Sequence, residues 1–197
     1  MFKRIVDILV SLIVLVVFLP FGILLAIAIV IDSSGGVFFK QERIGLNGKP
    51  FALLKFRSMY TNAHFKGTLT VGMRDPRITR IGVFIRKFKL DEFPQFINVL
   101  SGSMSIVGPR PEVEEFVKLY NEDQKKVLTV KPGITDYASI AYFKENEILA
   151  KSENPKKAYI DEIMPDKLRI NLEYIRKQSV WEDFKIIIKT FGKIIKN

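Results

Sequence analysis

Two adjacent carboxylates, Asp91 and Glu92, close the run Arg86-Lys87-Phe88-Lys89-Leu90-Asp91-Glu92-Phe93-Pro94-Gln95. A carboxylate beside several cations stays ionised at neutral pH and can act as a nucleophile or a metal ligand. The pair falls where a helix should begin: Asp91 suits the N-cap, and Pro94 the first turn, where a missing N–H is tolerated. Helix N-termini, arginines and lysines all bind phosphates. Further along, Arg110 stands between Pro109 and Pro111. Each proline ring fixes its own φ and biases the residue before it, so the guanidinium is carried on a stiff loop suited to bidentate phosphate recognition. Taken alone, the acidic pair equally fits a solvated helix start, and Pro-Arg-Pro a rigid connector with an exposed arginine.

Composition narrows the chemistry. The 197 residues contain no cysteine and one histidine, His64, which excludes a disulfide scaffold, thiolate zinc, a cysteine nucleophile and a multi-histidine metal site. His64 reads as a surface loop residue with no partner at metal-ligand spacing. Lys and Arg number 31 against 21 Asp and Glu, a net charge of +10. The aromatic residues do not interleave with the cations in a nucleic-acid motif, so the charge is assigned to phosphates and membrane surfaces and no nucleic-acid partner is expected.

A site that met lipid would depend on the N-terminal segment. From Ile8 to Ile31 run 24 residues whose only polar side chain is Ser11, bracketed by Asp7 and Asp32. Such a run reads as membrane-embedded. Lys3-Arg4 and Ala26-Ile27-Ala28 imitate a signal peptide, but the apolar stretch exceeds a normal signal core and continues past the cleavage-like triplet. Pro20, near the centre and followed by Gly22, predicts a kink. Each arm, 8–19 and 21–31, would be roughly 17 Å long, about half of a ~30 Å hydrocarbon core. Lys3 and Arg4 before the run, and Lys40, Arg43 and Lys49 after it, favour a cytoplasmic position for both flanks, although proline kinks are also common in true spans. A re-entrant helix-break-helix and a kinked span fit these features about equally.

The remaining residues, 33–197, read as one basic, cytoplasmic, membrane-associated domain after the 1–32 membrane segment. Val37–Ile44 and Pro50–Phe56 flank Asn47-Gly48 and predict a β-hairpin. Gly45–Lys49 lacks the spacing of a phosphate loop. Residues 60–78, with Gly67, Gly72 and Pro76, read as a mobile loop. Helices are expected at 78–89, 93–100, 112–128, 145–150, 155–163 and 165–177. Ser179 and Glu182 form a capping box for a last helix, 179–197, with Val180, Trp181, Phe184, Ile187, Ile188 and Phe191 at helical spacing and lysines between them. That helix either covers the core or lies in the membrane interface. The expected fold is therefore α+β and mostly helical, with a small hairpin and amphipathic interfacial helices.

The string from Leu90 to Leu100, continuing through Met104-Ser105-Ile106-Val107-Gly108-Pro109-Arg110-Pro111, closely resembles the bacterial sugar transferase family, the monotopic phosphoglycosyl transferases that begin lipid-linked glycan assembly. Lys3-Arg4 with Asp7, Arg43-Ile44-Gly45, Lys55-Phe56-Arg57-Ser58-Met59 and Lys131-Pro132-Gly133-Ile134-Thr135 agree with it in order. The resemblance implies transfer of a sugar-1-phosphate from a UDP-sugar to undecaprenyl (polyprenol) phosphate, with release of UMP. It makes Asp91 the nucleophile that carries a phosphosugar-aspartate and Glu92 its partner, with both able to hold Mg²⁺. Lys55, Arg86 and Arg110 become the substrate-binding cations, and Pro20 the break of a re-entrant membrane helix. The chain looks like the minimal form of the family. The implied partners are the UDP-sugar, the polyprenol phosphate and the phospholipid bilayer, with a homo-oligomer allowed, and the implied location is the cytoplasmic face of the bacterial inner membrane. The competing reading is a non-catalytic membrane-anchored basic module that binds anionic lipid or a partner enzyme.

Two departures stand out. The family's Ser-Pro break is Leu19-Pro20 here. After Thr135 the chain reads Asp136-Tyr137-Ala138-Ser139-Ile140 where many members continue with Gly and a Gln-Val-Asn-Gly-Arg-like stretch. If that region meets the sugar, the donor differs.

Overall fold

The computed structural model describes residues 2–61, 63 and 75–196. His64, and the loop expected around Gly67 and Gly72, lie outside the described residues. The first element is one helix, α1 (Phe2–Asp32), which continues through Pro20, so the expected break does not interrupt it. By length and composition it could cross a membrane, since an 18-residue stretch of it has a mean hydropathy of 3.2. Its buried residues Asp7, Ser11, Leu25 and Ile29, with half-buried Val14, Phe18 and Gly22, recur every three or four positions on both sides of Pro20. That spacing is a single stripe along the helix. The rest of the helix surface exposes Ile, Leu, Val and Phe side chains.

The polar residues of α1 dock both of its ends. Lys3 donates to Val107 O at 3.1 Å and pairs with Asp183. Arg4 donates to Val99 O and Leu100 O, at 2.5 and 2.9 Å. Asp7 accepts from Ser105 Oγ at 2.8 Å and Ile106 N at 3.2 Å. At the other end, buried Arg57 donates to the carbonyls of Ile29, Ser33 and Ser34, so a cation caps the helix C-terminus. Asp32 accepts from Ile81 N at 2.9 Å.

The predicted hairpin forms as β1 (Phe38–Ile44) antiparallel to β2 (Pro50–Phe56), with Asn47 left-handed (φ 56) in its turn. Then come α2 (Arg80–Lys87), a short 3₁₀ turn (Leu90–Glu92) and α3 (Gln95–Ser101). A pairing not expected from sequence follows: β3 (Ser105–Val107) runs parallel to β4 (Gly133–Thr135). The two chains are closest at Gly108 and Gly133, where a Cβ on Gly133 would lie 2.1 Å from Gly108 N. Only glycine permits that approach, which explains the glycines of Val-Gly-Pro-Arg and Lys-Pro-Gly-Ile-Thr.

The helix expected over 112–128 is two pieces, α4 (Glu114–Val117) and a 3₁₀ stretch (Gln124–Thr129). Asn121 and Gln124 break it by capping each other's amides at 2.9 and 3.0 Å. The rest of the chain forms α5 (Tyr137–Ala141), α6 (Glu145–Ala150), α7 (Pro155–Ala158), α8 (Met164–Arg176) and α9 (Val180–Ile195). Ser179 caps α9 as expected, accepting from Glu182 N at 3.2 Å. Ile186 of α9 is fully buried, whereas Trp181, Phe184, Ile188 and Phe191 are exposed on its other side. Three cores result. One, around Phe116, Leu149 and Ile163, lies in the C-terminal helices. The second joins β2, α3, β3 and α9, with Val10 of α1 against it. The third joins α1, β2 and α2 around Ile29, Phe56 and Ile85, and holds Leu90 and Phe93.

Candidate active site

The third core fixes the turn that carries Asp91 and Glu92. Phe93 stacks on Phe18 of α1, with ring centroids 3.8 Å apart and planes at 17°. Upstream, Lys89 ends α2 in the left-handed region (φ 54), a position that glycine usually fills. A non-glycine residue there costs about 1 kcal/mol. The Lys89 ammonium lies 3.8 Å from the centroid of the Phe143 ring, which ties this strained joint to the α5–α6 connection. Asp91 is consequently not the N-cap of α3: it sits inside the 3₁₀ turn, and Pro94 occupies the cap position.

Lys55, Arg86, Asp91, Glu92 and Arg110 converge. Lys55 follows buried Leu53 on the same face of β2, and Asn98 of α3 registers that strand by bonding Ala52 O at 2.8 Å and Leu54 N at 2.9 Å. Arg110 reaches Glu92 with both terminal nitrogens, Nη1 to Oε2 at 3.3 Å and Nη2 to Oε1 more closely. This is a fork-on-carboxylate pair. Behind it, Arg43 holds Pro111 O and Glu112 at 3.1 and 3.0 Å, and Tyr159 donates to Glu112 at 2.5 Å. The side chains of Asp91 and Arg86 make no hydrogen bond or ion pair among the described residues. Pro20 is exposed on α1, two positions past Phe18, and is not part of this cluster.

The electrostatics separate the two carboxylates. Burial, and then repulsion from Glu92, raise the Asp91 pKa, while Lys55, Arg86 and Arg110 oppose them. Burial also works against Glu92, but the Arg110 charge and hydrogen bonds outweigh it and hold Glu92 well below the usual carboxylate range. The expectation of a firmly ionised acid is therefore met at Glu92, while Asp91 moves the other way because its surroundings are drier than a solvated helix start. Lys55 is pushed down to about 8, first by burial and then by Arg110 and Arg43. Such a site offers an unpartnered carboxylate with raised basicity, a second carboxylate kept ionised, and a ring of cations for an anion carrying several charges.

The family model for bacterial sugar transferases matches residues 1–197, the whole chain. The chain belongs to the bacterial sugar transferase family. Among its relatives, a UDP-glucose:undecaprenyl-phosphate glucose-1-phosphate transferase of Escherichia coli (strain K12) is 39% identical over 97% of this chain. A UDP-N-acetylgalactosamine-undecaprenyl-phosphate N-acetylgalactosaminephosphotransferase of Aeromonas hydrophila is 35% identical over 98% of it. The chain spans 39% and 43% of these two proteins, about two fifths of their length. It spans 69% of a Caulobacter vibrioides UDP-glucose:undecaprenyl-phosphate glucose-1-phosphate transferase, which is 30% identical over 98% of this chain. Within this family member the sequence motifs now have physical roles. Lys3, Arg4 and Asp7 dock α1, Arg57 caps it, and Gly108 and Gly133 let the Arg110 loop pack on β4. Asn98, Lys89, Phe143 and Asp136 were not singled out as site residues from sequence. A polar Asn98 amid the apolar Phe96-Ile97 and Val99-Leu100 was the one available signal.

Proposed function

We propose that this chain transfers a sugar-1-phosphate from a UDP-sugar to a polyprenol phosphate through a covalent phosphosugar adduct on Asp91. The observation that carries the reading is an unpaired carboxylate, Asp91, on a turn packed against the apolar helix α1 and facing Lys55, Arg86 and Arg110. A nucleotide sugar and a lipid phosphate, as in the relatives' names, are the substrates that suit cations beside an apolar helix.

In the first step an Asp91 oxygen attacks the phosphorus that bears the sugar. The bond from that phosphorus to the bridging diphosphate oxygen breaks, and UMP leaves. In the second, a phosphate oxygen of the acceptor attacks the same phosphorus and expels the Asp91 carboxylate, giving the polyprenyl-diphosphate sugar. The covalent step divides a difficult transfer between two anions into two displacements. Arg110, Arg86 and Lys55 bind and orient the phosphates. Glu92, held ionised by Arg110, suits the role of ligand better than that of base.

The donor set fits Mg²⁺. Among the described residues no group of three or more His, Cys, Asp or Glu could form a closed protein cage. Two adjacent carboxylates match an ion that completes its shell with water and substrate phosphates. Asp91 and Glu92 would hold it, and when bound it neutralises the diphosphate and the departing UMP.

The test is to incubate the protein with individual UDP-sugars and no acceptor. The expected result is a phosphosugar mass added at Asp91 with an equivalent of UMP released. UMP appearing only with acceptor, and no adduct, would instead favour direct transfer. A second expectation concerns pH. Lys55 loses its charge above about 8, so kcat/KM should fall by up to about tenfold per pH unit above that point. Lys55→Arg should move this limb to higher pH; an unchanged limb would remove Lys55 from phosphate binding.

At the membrane, we place the domain on the cytoplasmic face of the bacterial inner membrane, with α1 bending at Pro20 while its helical hydrogen bonding continues, so that it enters and leaves by that face. Domain contacts along α1 from Lys3 to Asp32 support this topology, because a straight span would carry about 20 residues out of the domain's reach. The exposed apolar face of α9 would lie in the interface. A cysteine placed at position 2 should resist an impermeant reagent applied from the periplasm. Labelling there would overturn the re-entrant arrangement.

A further inference from the structure

Asp136 is fully buried, yet no cation pairs with it among the described residues. Its two oxygens take main-chain amides from separate segments. Oδ1 accepts from Ser139 N, capping α5, and Oδ2 accepts from Arg110 N at 2.7 Å. A helix cap alone needs one acceptor, and serine or asparagine would supply it without burying a charge, which costs several kcal/mol when unpaired. The second bond is the informative one. Pro109 and Pro111 have no N–H, so the Arg110 amide is the only main-chain donor in the stretch 109–111. The loop is thus held at three points: Pro109 O by Gly133 N at 3.0 Å, Pro111 O by Arg43 at 3.1 Å, and Arg110 N by Asp136. Only the Asp136 bond acts on the residue whose side chain forks onto Glu92.

We propose that Asp136 is a positioning residue for the transfer reaction, fixing the Arg110 backbone so that its guanidinium meets both Glu92 and the substrate phosphate. The inference rests on the reading of Arg110 as a phosphate-binding residue. Asp136 acts through Arg110 and touches no substrate itself. A charge-assisted bond to a buried amide is short and directional, which suits a loop whose side chain must be placed to within a fraction of an ångström.

The test is a double-mutant cycle with Arg110→Ala, read as UMP release in the presence of UDP-sugar and polyprenol phosphate, alongside thermal unfolding. Asp136→Ser keeps a cap for α5 but cannot hold both amides. With Arg110 present it should lower kcat by about 10- to 100-fold. In the Arg110→Ala background it should lower kcat less than about twofold, because the residue it positions has gone. Its effect on the unfolding midpoint should be the same in both backgrounds. Equal losses of kcat in both would make Asp136 a purely structural residue and overturn the proposal. Should Asp136→Ser not fold, Asp136→Asn, which retains one acceptor and the residue's shape, serves in the same cycle with the same criterion. A wild type that releases no UMP with any donor would overturn the transferase reading and this inference together.

Discussion

Asp91→Asn is expected to abolish adduct formation and to slow transfer by at least about 10³-fold while leaving the protein as stable as before, or more so. Asparagine keeps the shape of the side chain and removes the nucleophilic oxygen. The stability half of the expectation comes from the surroundings of Asp91. Its carboxylate has no hydrogen bond among the described residues, and burial and Glu92 both disfavour its charge. A carboxyl whose folded pKa is raised stabilises the fold when protonated, and that contribution is lost as pH rises through the folded value. At neutral pH the native acid therefore carries a cost that asparagine does not. Intact-mass analysis after incubation with UDP-sugar, with thermal unfolding at neutral pH and at pH 4, checks both halves. A variant that still takes up a phosphosugar would assign the nucleophile elsewhere.

Arg110→Ala should also be severe, with the opposite sign in stability. If Arg110 binds phosphate as proposed, loss of that preorganised cation should cost about 10²- to 10³-fold in kcat. Removing it also strands Glu92, the partner of its two hydrogen bonds, beside Asp91. Breaking one side of a buried pair costs a few kcal/mol, and the partial exposure of this pair reduces that to about 2 kcal/mol. Glu92 has a depressed folded pKa, so the stability it contributes is present above its unfolded pKa and lost as pH falls through the folded one. Arg110→Ala should flatten this acid dependence. Arg110→Lys keeps the charge without the fork and should fall between the two. Unfolding curves from pH 3 to 7 would read the difference, and an acid limb identical to wild type would mean that the pair does not set the Glu92 pKa.

Those contrasting expectations depend on contacts that local sequence patterns do not reveal. Asn47-Gly48 announces the hairpin, the Ser179–Glu182 box announces α9, and the apolar run announces α1, because each is a local signal. The convergence of Asp91, Glu92, Lys55, Arg86 and Arg110 was legible through the family resemblance rather than through spacing. The β3–β4 pair was not legible, since strands of three residues carry no usable periodicity and their partners lie 28 positions apart (Ser105 to Gly133). Nor was the break inside 112–128, where apolar spacing continues while Asn121 and Gln124 cap each other. Asp136 lay within a stretch noted only as a departure. Its role appears only once β4 brings it beneath an amide 26 positions away.

The pair between Lys3 and Asp183 joins the first helix to the last across 180 positions. During synthesis α1 emerges, and can enter lipid, long before its partner exists. This contact, one of those that fasten its N-terminal end, is then among the last to form, and contacts of such separation close slowly. Until α9 arrives, Lys3 lacks its counter-ion and the Val99–Ile106 core lacks Ile186. Completion of α9 therefore adds the last of the contacts that hold α1 onto the rest of the domain. Chains cut before Ser179 would lack that contact and would leave uncovered the part of the core that Ile186 fills.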